Sequence, residues 1–409
     1  MKNPIRHPGH IGMLVLNYYP RDIRVRREAE ALAEAGFRVD VVCLTDPEVA
    51  GARPQRSPEK INGVRVHRLP LSRKRGTSAR IVFEYASLIA LGIWKLAGIH
   101  LRDPFRAIHV HNMPDALVLA GLIPKWTGAK LILDIHDPMS ELFLSANAGG
   151  RDGMILKAIR WQERWSRRLA HWIITVNEPM RTGIQAKGVA PERILVVHNF
   201  TDTRYLPVKD DIARWTPHAD RMVWLYAGTI NRQYRLTVAV RALKIASTHL
   251  PPLTLRLVGE GNDLERIHRL AEDLGVGRKI EYIKPVTIDQ MRKHMNEADI
   301  GISCHQDGPF GDLQFSVKII DYLTQGLPVV SSRTKTLERY VPADAVFYFD
   351  PDDAEDMAEK IIFLWNHPDI VKQKMENAKK LFPRFTWQSE KSGLVDFYRR
   401  ILPEAGGKA

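Results

Sequence analysis

The chain has 409 residues, 44% hydrophobic and 26% charged, a globular profile too long for one core, since single cores stop growing at roughly 250–300 residues. Sixty basic against 47 acidic residues leave a net +13, and Met1–Phe200 holds 30 and 18 of them, so nearly all the excess sits in the first half. That asymmetry points to an anionic surface or partner met by one domain, while two cysteines exclude a disulfide framework and suggest no thiolate metal site.

Met1–His10 carries charges and prolines without an apolar core, so no signal peptide is read there. Ile11–Leu16, Val39–Leu44, Val64–Leu69, Ile108–His111, Lys130–Ile135, Trp172–Val176 and Ile194–His198 read as strands, with helical stretches such as Val25–Ala35 and Leu156–Ala170 between several of them. Cys43 and Cys304 fall in apolar strand-like runs and read as buried thiols. Ile81–Ile99, the longest apolar run, is interrupted by Glu84 and Lys95 and reads as an amphipathic or buried helix rather than a membrane span. A cytoplasmic, reduced compartment is expected.

Residues 202–218 lack periodicity and contain Pro207, Asp210, Asp211 and Pro217, which reads as a linker after a first domain of residues 1–201. The alternation then restarts over residues 219–383 with strand candidates Met222–Ala227, Leu253–Val258, Ile280–Ile283, Ile300–Cys304, Pro328–Ser331 and Val346–Phe349. A final helix around Gln388–Ile401, within residues 384–409, is expected to cross back to the first domain. Strand–helix alternation of this kind predicts an α/β protein with two doubly wound, Rossmann-like parallel-sheet domains, their strand ends facing a shared cleft.

The chemistry-bearing residues follow strands. Asn17-Tyr18-Tyr19-Pro20-Arg21-Asp22 ends the first strand, and no G-x-G-x-x-G accompanies it, which weighs against a dinucleotide oxidoreductase. His111-Asn112 and His136-Asp137 end two successive strands, and polar clusters at adjacent strand ends nominate His136 and His111 as functional. In the second half Gly228-Thr229 closes a strand, and Arg232 and Arg235 stand at a helix start where amides and cations together suit a phosphate. Ser316 is positioned to cap a helix ending near Gly326. Lys318 lies in that helix's first turn, where the helix dipole disfavours a cation unless an anion is also bound. Asp350-Pro351-Asp352-Asp353 mimics a metal-binding D-x-D, but its place before a helix makes a cap the better reading.

These stretches carry a family resemblance: DIRVRREAEALAEAGFRVDVVC, IHVHNMPDAL with LILDIHDPMSELF, ILVVHNF, LYAGTI, LRLVGEGNDL, and SVKIIDYLTQGLPVVSS followed by Glu338. Their order and spacing, from about Ile11 to Leu402, resemble the retaining glycosyltransferases of the GT-B fold, family 4 (group 1). The resemblance implies a nucleotide-sugar in the C-terminal domain, most often a UDP-sugar, an acceptor on the N-terminal domain, and no cofactor or metal. It implies His136 beside the transferred sugar, with Lys318 and Arg232 completing the catalytic set. Gly228, Thr229, Arg235, Ser316, Asp321 and Glu338 would bind the donor, Asp321 at the ribose. Asn17, Asp22, Arg24, His111 and Asn112 would meet the acceptor. Two positions depart from the family pattern. Leu313 stands where the first glutamate of Glu-x7-Glu is usual, leaving Asp312 or Asp307 to take the sugar hydroxyls, and Tyr234-Arg235 replaces Lys-Gly.

The implied reaction is front-face substitution with retention, the diphosphate's charge being met by Arg232, Arg235, Lys318 and helix N-termini instead of a metal. The basic first half has a reading of its own. Arg73, Lys74, Arg75 and Arg80 precede the apolar Ile81–Ile99 run, and Arg151, Lys157, Arg160, Arg164, Arg167 and Arg168 interleave with Trp161, Trp165 and Trp172. Such a surface suits an anionic bilayer, hence an enzyme peripheral to the inner face of the plasma membrane, extending a lipid-linked glycan in bacterial surface polysaccharide synthesis. No nucleic-acid-binding signature appears. The alternatives are a nucleotide-sugar-binding partner subunit without catalysis, motivated by Leu313, and a nucleotide-sugar 2-epimerase.

Overall fold

The computed structural model describes residues 8–47, 58–72, 78–146, 153–212, 215–218, 220–306 and 308–403. Arg73, Lys74, Arg75, Arg151 and Asp307 lie outside the described residues. The chain divides into two compact units. The first takes most of Met1–Asn199 together with Glu390–Ala409, the second Phe200–Ser389.

The first unit holds β1 (His10–Tyr18), β2 (Arg38–Leu44), β3 (Glu59–Ile61), β4 (Val64–Leu69), β5 (Ala107–His111), β6 (Lys130–Ile135), β7 (Trp172–Thr175) and β8 (Ile194–Val196). They form one sheet in the order β3-β4-β2-β1-β5-β6-β7-β8, parallel throughout except for β3 on β4. β3 is a strand the sequence reading misses, being only Glu-Lys-Ile. Its signal is the Asn62-Gly63 turn, both residues at positive φ (47° and 85°), which closes a two-residue hairpin.

Leu14, Val42, Leu88, Leu96, Val110 and Leu133 share one of the unit's apolar clusters. Within it the helix Ser78–His100 packs through Leu88 and Leu96, while a Cβ on its Gly92 would lie 3.1 Å from Leu14. This helix is long and apolar enough to cross a bilayer, and its other face leaves Val82, Phe83 and Trp94 exposed.

The second unit holds β9 (Met222–Ala227), β10 (Leu253–Val258), β11 (Ile280–Ile283), β12 (Ile300–Ser303), β13 (Val329–Ser332) and β14 (Phe347–Phe349), all parallel in the order β11-β10-β9-β12-β13-β14. Near-continuous apolar strands such as Met-Val-Trp-Leu-Tyr-Ala in β9 bury both faces beneath helices. The stretch expected as a linker is strapped to this unit. Phe200, Ile212 and Trp215 enter its core, Lys209 N donates to Thr324 O, and Trp215 Nε1 donates to Asp299 O at 2.8 Å. Asp353 caps the helix Ala354–Asn366, accepting from the amides of Glu355 and Asp356 at 2.9 Å each, so the D-x-D run is a helix start.

Candidate functional site

Each sheet reverses its strand order at one point, between β1 and β5 and between β9 and β12, and ligands of open α/β sheets bind outside the strand ends there. In the second unit β9 runs out into Gly228, at φ 140°, where a Cβ would come within 3.2 Å of Lys318 Nζ. At the end of β10, Gly259 has φ 148°, and a Cβ there would fall 1.9 Å from the Gly228 carbonyl oxygen. Both positions need bare backbone, because one loop presses on the other while the lysine tip reaches in from below.

Lys318 is the second residue of the helix Val317–Thr324. Its ammonium lies 4.0 Å from the centre of the Tyr226 ring and 5.0 Å from that of Tyr234. Burial pulls Lys318 from the ordinary 10.5 down to about 8, against the opposing pull of Cys304 and Asp321. A cation held on aromatic faces at a helix N-terminus, beside a glycine loop, is arranged to receive an anion. Ser316 occupies the N-cap position, yet its hydroxyl makes no cap bond and sits 3.0 Å from Ser303 Oγ.

The other donor candidates are placed differently. Arg232 is 75% exposed, with Nε 3.8 Å from Asp263, and Arg235, left-handed at φ 44°, has Nε 3.4 Å from Asp352. Thr229 is exposed and its carbonyl accepts from Tyr226 Oη at 2.7 Å. Asp321 accepts from the Thr201 hydroxyl, Glu338 pairs with Arg333 at 2.6 Å, and Asp312 pairs with Lys335 at 2.7 Å. Among the described residues, the acids expected at the sugar and ribose are thus engaged by neighbours within the unit. His305, which the sequence reading passes over, sits at the end of β12. Its Nε2 lies 3.1 Å from Ser303 Oγ, its ring is 5.9 Å from that of Tyr234, and burial draws it down to about 3.

In the first unit Asp22 caps the helix Ile23–Glu34, accepting from Arg24 N and Val25 N, and takes a 2.8 Å bond from Asn17 Nδ2. Burial pushes Asp22 up, but Arg24, Asn17, His136 and His111 more than offset it, leaving its carboxyl below the ordinary range. His136 follows β6 with Nδ1 3.6 Å from Asp134 Oδ2 and 9% of its side chain exposed. Two of the acceptor candidates lie in the interior of the unit. His111 is fully buried and bonded through Nδ1 to Asp134 Oδ2 at 2.9 Å. Asn112 is buried too, its amide donating to Asp115 Oδ1 and the Asp137 carbonyl while its oxygen receives His136 N. Because β5 and β6 are adjacent, their ends face each other, and Asn112 ties the loop after β5 to the loop after β6. Glu28, His109 and Asp134 complete this interior and were not nominated, since one buried carboxylate in a helix gives no local signal.

The exposed side of the helix Gly153–Leu169 carries Met154, Trp161, Lys157, Arg160 and Arg164, with Trp161 and Trp165 stacked at 6.3 Å. Trp161 is 67% and Met154 85% exposed. Trp172 and Arg167 leave this surface: Trp172 packs edge-on against Phe397 at 5.4 Å, and Arg167 is buried 3.7 Å from Glu163.

Comparison with known proteins places the chain among sugar-transferring enzymes. Residues 22–199 match the Glycosyl transferase 4-like domain and residues 208–381 the Glycosyl transferases group 1 domain. The chain is 23% identical to the uncharacterized glycosyltransferase MJ1607 of Methanocaldococcus jannaschii, over 97% of this chain and 99% of that one. It is 27% identical to the lipopolysaccharide core biosynthesis glycosyltransferase LpsE of Rhizobium meliloti, over 41% of this chain and 46% of the relative. Among solved structures, sucrose-phosphate synthase of Thermosynechococcus elongatus superposes with TM-score 0.74 at 18% identity, covering 96% of this chain and 99% of its own. Anabaena HepE in complex with UDP and glucose superposes with TM-score 0.70 at 15% identity, covering 96% and 100%.

Proposed function

The chain belongs to the GT-B glycosyltransferases of family 4, group 1, and from that premise we propose that it is a retaining, metal-independent transferase that moves a sugar from a UDP-sugar to a lipid-linked glycan. The diphosphate is assigned to the second unit. The observation that carries this is Lys318, whose ammonium meets the Gly228 loop with little polar company. In the reaction the bond from the sugar's anomeric carbon to the β-phosphate oxygen breaks. The acceptor hydroxyl oxygen bonds to the same face of that carbon, and its proton passes to the departing phosphate oxygen. Lys318 stabilises the charge gathering on that phosphate. On the first unit, His136 is assigned beside the transferred sugar and Asp22 to the acceptor.

The lipid-linked acceptor and a position on the anionic inner face of the plasma membrane draw support from the exposed Trp161 and Met154 among Lys157, Arg160 and Arg164, and from Phe83 and Val82 on the apolar helix Ser78–His100. LpsE, a relative over under half its length, is named for lipopolysaccharide core biosynthesis.

Calorimetric titration with UDP, GDP, ADP and dTDP, with and without EDTA, tests the donor reading. Saturable binding of UDP that survives EDTA and weakens in Lys318→Ala is expected. Strict dependence on a divalent ion while the chain stays folded in EDTA, or no binding at all, would overturn it. Proton NMR of the product's anomeric coupling tests retention. Co-sedimentation with anionic and neutral liposomes tests the membrane surface, and equal binding to both refutes it.

A further inference from the structure

Glu28 on the helix Ile23–Glu34, His109 and His111 in β5 and Asp134 in β6 converge inside the first unit. All four are buried, and one oxygen or nitrogen from each lies within 4.8 Å of the others. Their contacts are of two kinds. His111 Nδ1 to Asp134 Oδ2, at 2.9 Å, is an ordinary hydrogen bond. His109 Nε2 instead stands 3.9 Å from both Glu28 Oε2 and Asp134 Oδ2, beyond hydrogen-bond reach. Glu28 Oε2, His109 Nε2, His111 Nε2 and Asp134 Oδ1 have no hydrogen-bond partner among the described residues. Each such atom costs about 1–3 kcal/mol in an interior.

The same unit shows a buried carboxylate with both oxygens engaged, although His67 Nδ1 beside it has no partner among the described residues. Buried Asp40 takes His10 Nε2 and His67 Nε2 at 2.5 Å each, and Arg65 as well, so both its oxygens are occupied. The Glu28 cluster lacks that closure, and its gaps have a definite size. An ion bound at about 2.0–2.2 Å to nitrogen and oxygen holds its ligand atoms roughly 3–4 Å apart.

We propose that Glu28, His109, His111 and Asp134 form a buried site for one divalent transition-metal ion of the zinc class. Two carboxylates balance its charge and imidazole supplies the nitrogen donors, a set suited to a borderline cation. His109 Nδ1 lies 2.9 Å from Tyr398 Oη, the outer partner that turns Nε2 toward the site. Tyr398 belongs to the terminal helix Trp387–Ile401, so the ion ties that helix to the point where the first sheet reverses. The site is structural.

The test uses the untagged full-length chain, expressed with zinc and dialysed against metal-free buffer. Elemental analysis should find about one zinc per chain, and cobalt substitution should give visible d–d bands, with metal and folding coupled in the melting temperature. Glu28→Gln and His109→Gln should each lower the metal content at least about 10-fold. Metal well below stoichiometric in the wild type, with no cobalt spectrum and no shift in melting temperature on adding zinc, overturns the site and leaves a proton-sharing network. Unchanged metal content in both variants overturns it equally. If the variants fail to fold, the wild-type cobalt spectrum and stoichiometry decide. UDP titration of the same samples reads the second unit separately, so loss of nucleotide binding with metal intact counts against the donor reading alone.

Discussion

The two sheets reverse strand order in the same way and fill the reversal with opposite chemistry. In the first unit the interior beneath it packs histidines and carboxylates out of contact with solvent. In the second, a lysine rests on two tyrosine rings under loops of bare backbone. Topology therefore fixes where a ligand can approach, and side chains decide what it can be. The second reversal offers positive charge to an anion from outside. The first spends its polar atoms inward, leaving Asn17, Asp22, Arg24 and His136 nearer its rim.

Removing the charge that distinguishes the second reversal is the most direct way to break the comparison. Lys318→Ala should weaken UDP binding about 30–150-fold, the worth of a charge-assisted hydrogen bond of about 2–3 kcal/mol. Asp40→Asn, which disrupts a buried ion network in the first unit, should lower the melting temperature while leaving UDP affinity unchanged. A calorimeter reads both. Equal affinity in Lys318→Ala and wild type would remove the electrostatic contrast.

Gly228→Ala attacks the same contact from the loop. The new methyl group meets Lys318 Nζ at 3.2 Å on a backbone that L side chains rarely adopt, so UDP affinity should fall about 10-fold with a stability loss of about 1–2 kcal/mol. Denaturant melts separate the two effects. A variant that binds UDP normally would place the phosphate elsewhere.

The pH response should differ as well. Lys318 titrates at about 8 in the folded chain against 10.5 ordinarily, so the unfolded chain holds the extra proton between those values. Stability therefore carries a burial penalty in full below about 8 and regains it as pH rises toward 10.5. Binding a diphosphate favours the charged lysine, so UDP affinity should be flat below pH 8, fall severalfold by about pH 9, and be accompanied by proton uptake. Calorimetry in buffers of different ionisation enthalpy measures that uptake, and affinity independent of pH across this range would contradict it.

Most of the fold was legible because its strands are short, apolar and evenly spaced, and thirteen of the fourteen strands among the described residues overlap the runs read from the sequence. β3 escaped because three residues, Glu59, Lys60 and Ile61, carry no periodicity, although Asn62-Gly63 announced the turn. The site was legible where chemistry broke a local rule. Lys318, a cation at the wrong end of a helix, is the clearest example. It was illegible where function depends on long-range closure. Nothing near Asp321 in sequence foretells its bond to Thr201, and nothing near Glu28 foretells His109, 81 positions away. The burial of His111 and Asn112 was illegible as well, because the end of a strand in sequence does not say whether a side chain turns outward or inward.

The smallest expected effect separates arginines that bind from arginines that merely flank. Arg232 is three-quarters exposed, and its nearest carboxylate, Asp263, is 3.8 Å away and already bonded bidentately by Arg266 at 2.7 and 2.8 Å. A side chain held so loosely must give up much rotamer freedom to reach a phosphate, and exposed charge pairs are worth about 0–1 kcal/mol. Arg232→Ala should therefore weaken UDP binding no more than about 3-fold at physiological salt, with the difference vanishing as salt is raised. A loss rivalling that of Lys318→Ala, and persisting in high salt, would mean that the loop following Gly228 reorganises around the donor and brings Arg232 into direct contact with the diphosphate.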